Sequence, residues 1–332
     1  MPMNTIHILT LPNGFFGRAE QGWKTLNIIK VKKILESYGY TVKIGEITKA
    51  LDLEISPDDF VLYTSSDEQN IRNHIKDTVY FLSKKCKIIP NYEALLAHEN
   101  KGFQQLWRNE KKICTLSGGY FFDHAELPRK YPYVYKSVTG AGSSGVRLIK
   151  NDASRKKTLR KEFKVSIIRK IIKIFKKFKI TKDEYLQYLY RHKGFNLGVW
   201  QEFIEGLNCD YKVLIYGKKY YTLTRDVRKN DFRASGSGSF HYTAAMPEVL
   251  DYARKVFLSL DVPFASLDIA EKDGKCYLIE YQCMHFGPYT TINSKGFYNK
   301  TELGDWTYIL ETPDLELNTA ESVHDYIKGT ME

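Results

Sequence analysis

Four groups of residues have the types and spacing to do chemistry. The first is Tyr135-Lys136 followed by Gly140-Ala141-Gly142-Ser143-Ser144-Gly145. A strand that ends in lysine and runs into a glycine and serine loop can cover phosphate. The glycines let backbone N–H groups approach the oxygens, and Lys136 supplies charge. No Gly-Lys-Ser/Thr follows, so this is not a Walker A loop, and a plain hairpin turn is the competing reading. The second is Val199-Trp200-Gln201-Glu202-Phe203-Ile204-Glu205-Gly206, an apolar strand carrying a carboxylate. Its backbone can read the edge of a base while apolar neighbours sandwich the ring; an ordinary strand would look the same. The third is Asp268 in one apolar strand with Glu280 and Gln282 in the next. Glu280 and Gln282 are two apart and share a face, and Asp268 can sit opposite them. Carboxylates inside apolar strands are costly unless paired or metal-bound, and converging oxygen donors suit Mg²⁺. The fourth is Arg225 with the loop Asp231-Phe232-Arg233-Ala234-Ser235-Gly236-Ser237-Gly238. Arginine grips phosphate or carboxylate with two parallel hydrogen bonds and stabilises developing negative charge. A surface ion pair is the alternative.

The elements that must hold these groups alternate. The first ninety residues read as strand Ile6 to Leu11, helix Gly22 to Tyr38, strand Thr41 to Ile47, strand Phe60 to Thr64, helix Asp67 to Lys84 and strand Cys86 to Ile89. This order predicts a small layered α/β unit. Its Gly14-Phe15-Phe16-Gly17 is not a dinucleotide fingerprint. Asn91 to Glu110 reads as one helix. Strands are expected at Tyr133 to Lys136, Val146 to Ile149, Leu197 to Ile204, Tyr211 to Tyr216 and Lys219 to Arg225. Pro247 to Leu260 is helical. Phe264 to Ala270 and Lys275 to Gln282 form a hairpin around Asp273-Gly274. The chain from Glu302 looks mixed, and no internal repeat is visible.

With 332 residues, the chain has room for two or three domains. Apolar residues at 43% and charged residues at 27% exclude wholesale disorder. Five cysteines without a CxxC pair argue against a disulfide framework or zinc ribbon and fit a reducing cytosol. No apolar run approaches the roughly 18 residues of a spanning helix. Asn4 and His7 stand where a signal peptide needs an apolar stretch, so an intracellular soluble protein is expected. The net charge of +11 sits in one place. From Arg155 to Lys182 thirteen basic residues face one acid, Glu162, a local +12 that leaves the rest at −1. The apolar residues Phe163, Ile167, Ile168, Ile171, Ile172, Phe175 and Phe178 trace one helical stripe. A solvated surface helix, a helix lying on an anionic membrane and a site for an anionic polymer or nucleic acid remain open readings. Nucleic-acid binding ranks last among the functions, because the charge is confined to one segment without interleaved aromatics.

Taken in order, these pieces resemble the ATP-grasp superfamily over about residues 95 to 300. The matching elements are Asn100-Lys101, Tyr135-Lys136, Gly140 to Gly145, Gln201-Glu202-Phe203-Ile204, Asp210-Tyr211-Lys212, Arg225, Asp231-Phe232-Arg233, Asp268 and Glu280-Tyr281-Gln282. The nearest look is to ligases of the ribosomal-protein glutamate ligase and D-alanine–D-alanine ligase kind. The resemblance implies a mixed α+β and α/β fold in which two α+β subdomains sandwich ATP behind a small α/β domain. It implies boundaries at 1–95, 96–205 (with the basic insert 155–182) and 206–332. Lys101, Lys136 and the loop with Gly142, Ser143, Ser144 and Gly145 would take the phosphates of ATP. Gln201, Glu202, Phe203 and Ile204 would form the adenine hinge, and Asp210 would lie near the ribose or acceptor. Asp268, Glu280 and Gln282 would hold Mg²⁺, while Arg225, Arg233 and Ser235 would act in catalysis and Lys212 and His285 would touch substrate. The sequence departs from the family in three places. Glu280-Tyr281-Gln282 replaces Glu-x-Asn, Cys283-Met284-His285-Phe286-Gly287-Pro288 replaces the usual tail, and Asp210-Tyr211-Lys212 replaces Asp-Ile-Arg. The implied activity is amide formation between a carboxylate and an amine, the carboxylate being a sugar acid of bacterial capsule or other surface polysaccharide or, as the other candidate, an amino acid or peptide. An ATP-grasp phosphotransferase and a non-catalytic nucleotide-binding scaffold are the rivals. The expected location is the cytoplasm, at the inner face of the membrane if the basic segment binds lipid.

Overall fold

The structure, a computed structural model, describes residues 3–21, 23–113, 115–140, 145–162, 177, 179–191, 196–242 and 245–329. They form two compact units, one of Met1–Asn100, Trp107–Thr115 and Gly206–Glu332, the other of Lys101–Leu106 and Leu116–Glu205.

The larger unit starts with β1 (Met3–Thr10), α1 (Ile28–Ser37), β2 (Tyr40–Glu46), β3 (Phe60–Tyr63), α2 (Gln69–Leu82) and β4 (Lys87–Ile89). The strands pair in parallel in the order β2-β1-β3-β4. All four residues of β3 are buried, as a parallel strand covered on both faces requires. β1 and β3 lie side by side while their crossovers lead outward in opposite directions. Their carboxyl ends therefore form the switch point at which open α/β sheets bind ligands. The expected helix from Gly22 begins only at Ile28, because the Asn27 side chain accepts from Lys30 N–H at 3.2 Å and sets the cap there. α1 buries Val31 and Leu35. The expected single helix 91–110 is in fact α3 (Tyr92–Ala97) and α4 (Lys101–Glu110). His98-Glu99-Asn100 breaks it, with Glu99 at a left-handed φ of 51°.

The smaller unit contains β5 (Gly118–Phe121), β6 (Tyr133–Ser137), β7 (Val146–Ile149), α5 (Asp152–Glu162), α6 (Lys182–Arg191) and β8 (Gly198–Glu202). Its sheet is antiparallel, in the order β5-β8-β6-β7, over a core of Phe121, Leu127, Tyr133, Tyr135 and Ile149. α5 covers the start of the basic stretch; the whole apolar stripe, Phe163 to Phe178, lies outside the described residues.

The larger unit resumes with β9 (Cys209–Tyr216), β10 (Lys219–Asp226), β11 (Phe240–His241), α7 (Pro247–Leu260), β12 (Phe264–Lys272), β13 (Lys275–Gln282), α8 (Tyr289–Ile292), β14 (Gly296–Lys300), β15 (Trp306–Leu310) and α9 (Leu315–Gly329). The strands make an antiparallel sheet ordered β13-β12-β9-β10-β14-β15, with β11 on β10. α7 packs on this sheet through Val249, Ala253, Val256 and Leu260. One buried cluster joins Ile6, Ile8 and Leu35 to Leu214, Tyr216, Phe264, Val323 and Ile327, so the N-terminal sheet, the large sheet and α9 share a core. Among the described residues no helix is long and apolar enough to cross a membrane.

Candidate functional site

Residues Asp210, Lys212, Leu214 and Tyr216 alternate along one face of β9. Leu214 and Tyr216 belong to the shared core. Toward the start of the strand the same face turns charged. The register places Asp210 opposite Arg225, Lys212 opposite Asp268, and Asp268 opposite Glu280. The β12–β13 ladder slips immediately beyond Asp268, where Ile279 is extra on β13. Such a bulge twists the strands locally and re-aims side chains. One sheet face thus gathers the charged residues of three separate sequence motifs.

Arg225 is buried and holds the group together. Its Nε and Nη2 donate to the two carboxylate oxygens of Asp210 at 2.7 and 2.9 Å. Nη2 also reaches Asp268 Oδ2 at 3.0 Å, and Lys212 Nζ donates to Asp268 Oδ1 at 3.1 Å. The two acids differ in consequence. Burial pushes the Asp210 carboxyl up to about 6 despite its guanidinium partner. Asp268 is also desolvated, but Arg225 and Lys212 together hold it well below the usual carboxylate range. Gln282 Nε2 donates to Glu99 Oε1 at 3.3 Å. In the loop after β10, Arg233 Nη2 lies 2.6 Å from Asp231 Oδ2 and its Nε 2.9 Å from the same oxygen. Arg233 thereby lowers the Asp231 carboxyl. The Ser235 carbonyl accepts from the Arg228 guanidinium in the same loop.

In the smaller unit, Lys101 and Lys136 are both buried, and Lys101 Nζ donates to the Gly140 carbonyl at 2.7 Å. Gly145 accepts from Ser137 N–H at 3.1 Å, and a Cβ at Gly145 would lie 1.7 Å from Ser137 Oγ. Close approach, rather than φ, requires glycine there. Gly142, Ser143 and Ser144 lie outside the described residues. Gln201 and Glu202 pair with Val134 and Tyr133 of β6, and Phe203 and Ile204 follow directly. Gln201 is 2% exposed, and its Nε2 has no hydrogen-bond partner among the described residues. Glu202 is exposed and accepts from Ser117 N–H at 3.3 Å.

His285 is not part of the charged sheet face. It lies in the loop after β13, with Nε2 3.3 Å from Asp67 Oδ1, and its ring meets His98 with centroids 4.5 Å apart. Sequence reasoning passed over Asp67 and His98. A signal existed for Asp67: Thr64-Ser65-Ser66-Asp67 follows the buried strand β3, at the sheet's switch point. His98, inside an expected helix, carried none.

No family model matches the sequence, and a search of curated proteins finds no match. Solved structures do match. The D-cycloserine synthetase DcsG superposes with a TM-score of 0.55 at 9% identity, over 96% of this chain and 98% of that one. A Chryseobacterium gregarium RiPP-associated ATP-grasp ligase, in complex with ADP and a leader and core peptide, gives 0.55 at 12%, over 97% of each. The ADP complex of purK, an N5-carboxyaminoimidazole ribonucleotide synthetase, gives 0.51 at 12%, over 89% of this chain and 74% of that one. The chain has the ATP-grasp fold. The ATP-grasp likeness reaches beyond the motifs at 95 to 300 and takes in the N-terminal parallel sheet, as the coverage by the first two structures requires. At 9–12% identity it is the backbone plan that is shared.

Proposed function

We propose that the chain is an ATP-dependent ligase that activates a carboxylate as an acyl phosphate and joins it to an amine. The observation that carries this reading is the Asp210–Arg225–Asp268–Lys212 group, with Glu280 opposite Asp268, on one face of the large sheet of an ATP-grasp fold. A guanidinium fixed by two carboxylates is positive charge oriented in advance. It stabilises negative charge that develops on a phosphoryl group or a tetrahedral oxyanion without having to reorganise. Asp210 acts through Arg225, which it orients from two oxygens.

Asp268, held ionised, and Glu280 on the next strand offer the hard oxygen donors that Mg²⁺ takes. Gln282 fits as a third donor, since its amide nitrogen is committed to Glu99 and its oxygen is left as acceptor. Bound there, Mg²⁺ would neutralise charge on the β- and γ-phosphates. The smaller unit supplies Lys101 and Lys136 for the phosphates and the loop 140–145 to cover them. It also supplies Gln201 to Ile204 for the adenine. The orphaned amide donor of Gln201 supports that reading, because a buried donor without a partner costs stability until a ligand satisfies it. Arg233 and Ser235 stand in the loop that would meet the transferred phosphoryl group. In this reading residues 1–95, 96–205 and 206–332 are the N-terminal, lid and large subdomains.

Two carboxylate classes merit testing. A uronate of surface polysaccharide is one, because the Asp231 to Gly238 motif resembles that of ATP-grasp members associated with surface-polysaccharide synthesis. An amino-acid or peptide carboxylate is the other, and the Chryseobacterium ligase, in complex with a leader and core peptide, supports testing it. The basic stretch 155–182 would add weak, salt-sensitive attachment to an anionic membrane. The test is incubation with ATP–Mg²⁺, hydroxylamine and panels of uronates and peptides. Hydroxamate matched by ADP, both absent with Glu280→Ala, is the expected result. A stable phosphorylated product in place of hydroxamate would make the protein a phosphotransferase.

A further inference from the structure

Asp67, His98 and His285 each offer a ligand atom, and the three atoms lie within 4.8 Å of one another. They come from three separate segments of the larger unit: the loop after β3, the break between α3 and α4, and the loop after β13. His98 is 1% exposed, and neither of its ring nitrogens has a hydrogen-bond partner among the described residues. A histidine buried for packing alone normally finds an acceptor for its N–H, because stranding that donor is costly. Here the ring turns instead toward a second imidazole, at 4.5 Å between centroids and 63° between planes. His285 Nε2 in turn stands 3.3 Å from Asp67 Oδ1. The Asp67 side chain is exposed, so the cluster is open to solvent on that side.

We propose that Asp67, His98 and His285 bind one divalent transition-metal ion of the zinc class. Two imidazoles and one carboxylate are a donor set such ions take, with bonds of about 2.0–2.2 Å. Tetrahedral donors are then roughly 3.4 Å apart, so the most distant pair needs to draw in by up to about 1.4 Å. The surroundings steady two of the donors, Asp67 and His285, as outer partners of metal ligands do. Arg18 engages Asp67 Oδ2 and leaves Oδ1 for the metal. Arg72 Nη1 donates to the carbonyls of Ser66 and Asp67 at 2.9 and 3.0 Å and so fixes the loop. Thr64 Oγ1 lies 3.5 Å from His285 Nδ1, on the side of the ring away from Asp67. Two guanidinium groups nearby disfavour hard ions held by charge alone, such as Mg²⁺, and leave those that imidazole selects. Three protein donors keep a fourth position open for water or a ligand oxygen, the arrangement of zinc sites that act on a bound molecule. The site does not rest on the ligase reading, since it shares no residue with Asp268, Glu280 or Gln282.

The experiment is titration of chelator-treated full-length protein with Co²⁺, without nucleotide. One equivalent should produce the intense visible absorption of a low-coordinate site. Stoichiometric Zn²⁺ should abolish it, and a large excess of Mg²⁺ should not. Asp67→Asn, a change of similar shape at an exposed side chain, should weaken binding tenfold or more. His98→Gln and His285→Gln should eliminate it, while Glu280→Ala keeps it in full. Zn²⁺ should raise the unfolding temperature of the native protein but not of His98→Gln. Absence of a spectrum in the native protein, or an unchanged spectrum in the Asp67 and His98 variants, would overturn the proposal.

Discussion

Arg225 is 6% exposed and lies between the carboxylates of Asp210 and Asp268, so removing it strands the buried Asp210 and leaves Asp268 with Lys212 alone. Breaking a buried pair from one side costs about 3–5 kcal/mol. Arg225→Met should therefore lower stability by about that much, read from urea midpoints at unchanged slope; a loss below about 1 kcal/mol would mean the group is solvated. Asp210 gives the group a pH signature. Its folded value of about 6 lies above the ordinary 3.8, so the folded state binds the extra proton between those values. The associated stability is complete below about pH 3.8 and is lost as pH rises through about 6. Asp268 has the opposite sign. Its depressed value contributes stability above about 3.8, which is lost on acidification. Asp210→Asn should accordingly flatten the stability profile between pH 4 and 6 relative to the native chain, measured by denaturant midpoints across that range. The placement of Asp268 opposite Glu280 was legible in the sequence, because both stand out as acids within two apolar strands joined by a short turn. The pairing of Asp210 with Arg225 was not, because it depends on the register of β9 against β10. His98 was invisible for the same kind of reason: only the tertiary fold brings it to His285.

At the scale of elements, close backbone approach makes sharper claims than propensity. A Cβ on Gly296 would stand 2.1 Å from the Ile309 carbonyl oxygen across β14 and β15, where backbone must move. Gly296→Ala should cost about 1–3 kcal/mol or more by thermal unfolding. Gly145→Ala meets a side chain, Ser137 Oγ at 1.7 Å and Ser137 Cβ at 2.8 Å, so Ser137→Ala in the same chain should recover part of the loss by removing the nearer atom. Equal stability of the single and double variants would contradict that packing. The β12–β13 hairpin was readable down to its turn. Asp273 and Gly274 adopt φ of 53° and 75°, as a two-residue turn of this type demands. The bulge beside Asp268 was not readable, since Ile279 looks like any other strand residue. The helix break at 98–100 was likewise hidden, because no proline or glycine marks it and Glu99 itself adopts the left-handed conformation.

For the whole molecule, the order of weak motifs carried more than any one of them. Lysines, a glycine loop, a carboxylate strand and an acidic hairpin in that succession fit an ATP-grasp chain, and the structural likeness over 96–97% of the chain shows that fold. Composition alone pointed only to a globular protein with one basic segment. The central claim, that the chain binds ATP with Mg²⁺ through Glu280 and its neighbours, is tested most directly by thermal unfolding with and without ATP–Mg²⁺, on the native protein and on Glu280→Ala. At a ligand concentration 100 times its dissociation constant, the native protein should gain about 2.7 kcal/mol, dependent on magnesium and lost in the variant. The absence of a shift in the native protein, or the same shift in both, would contradict it.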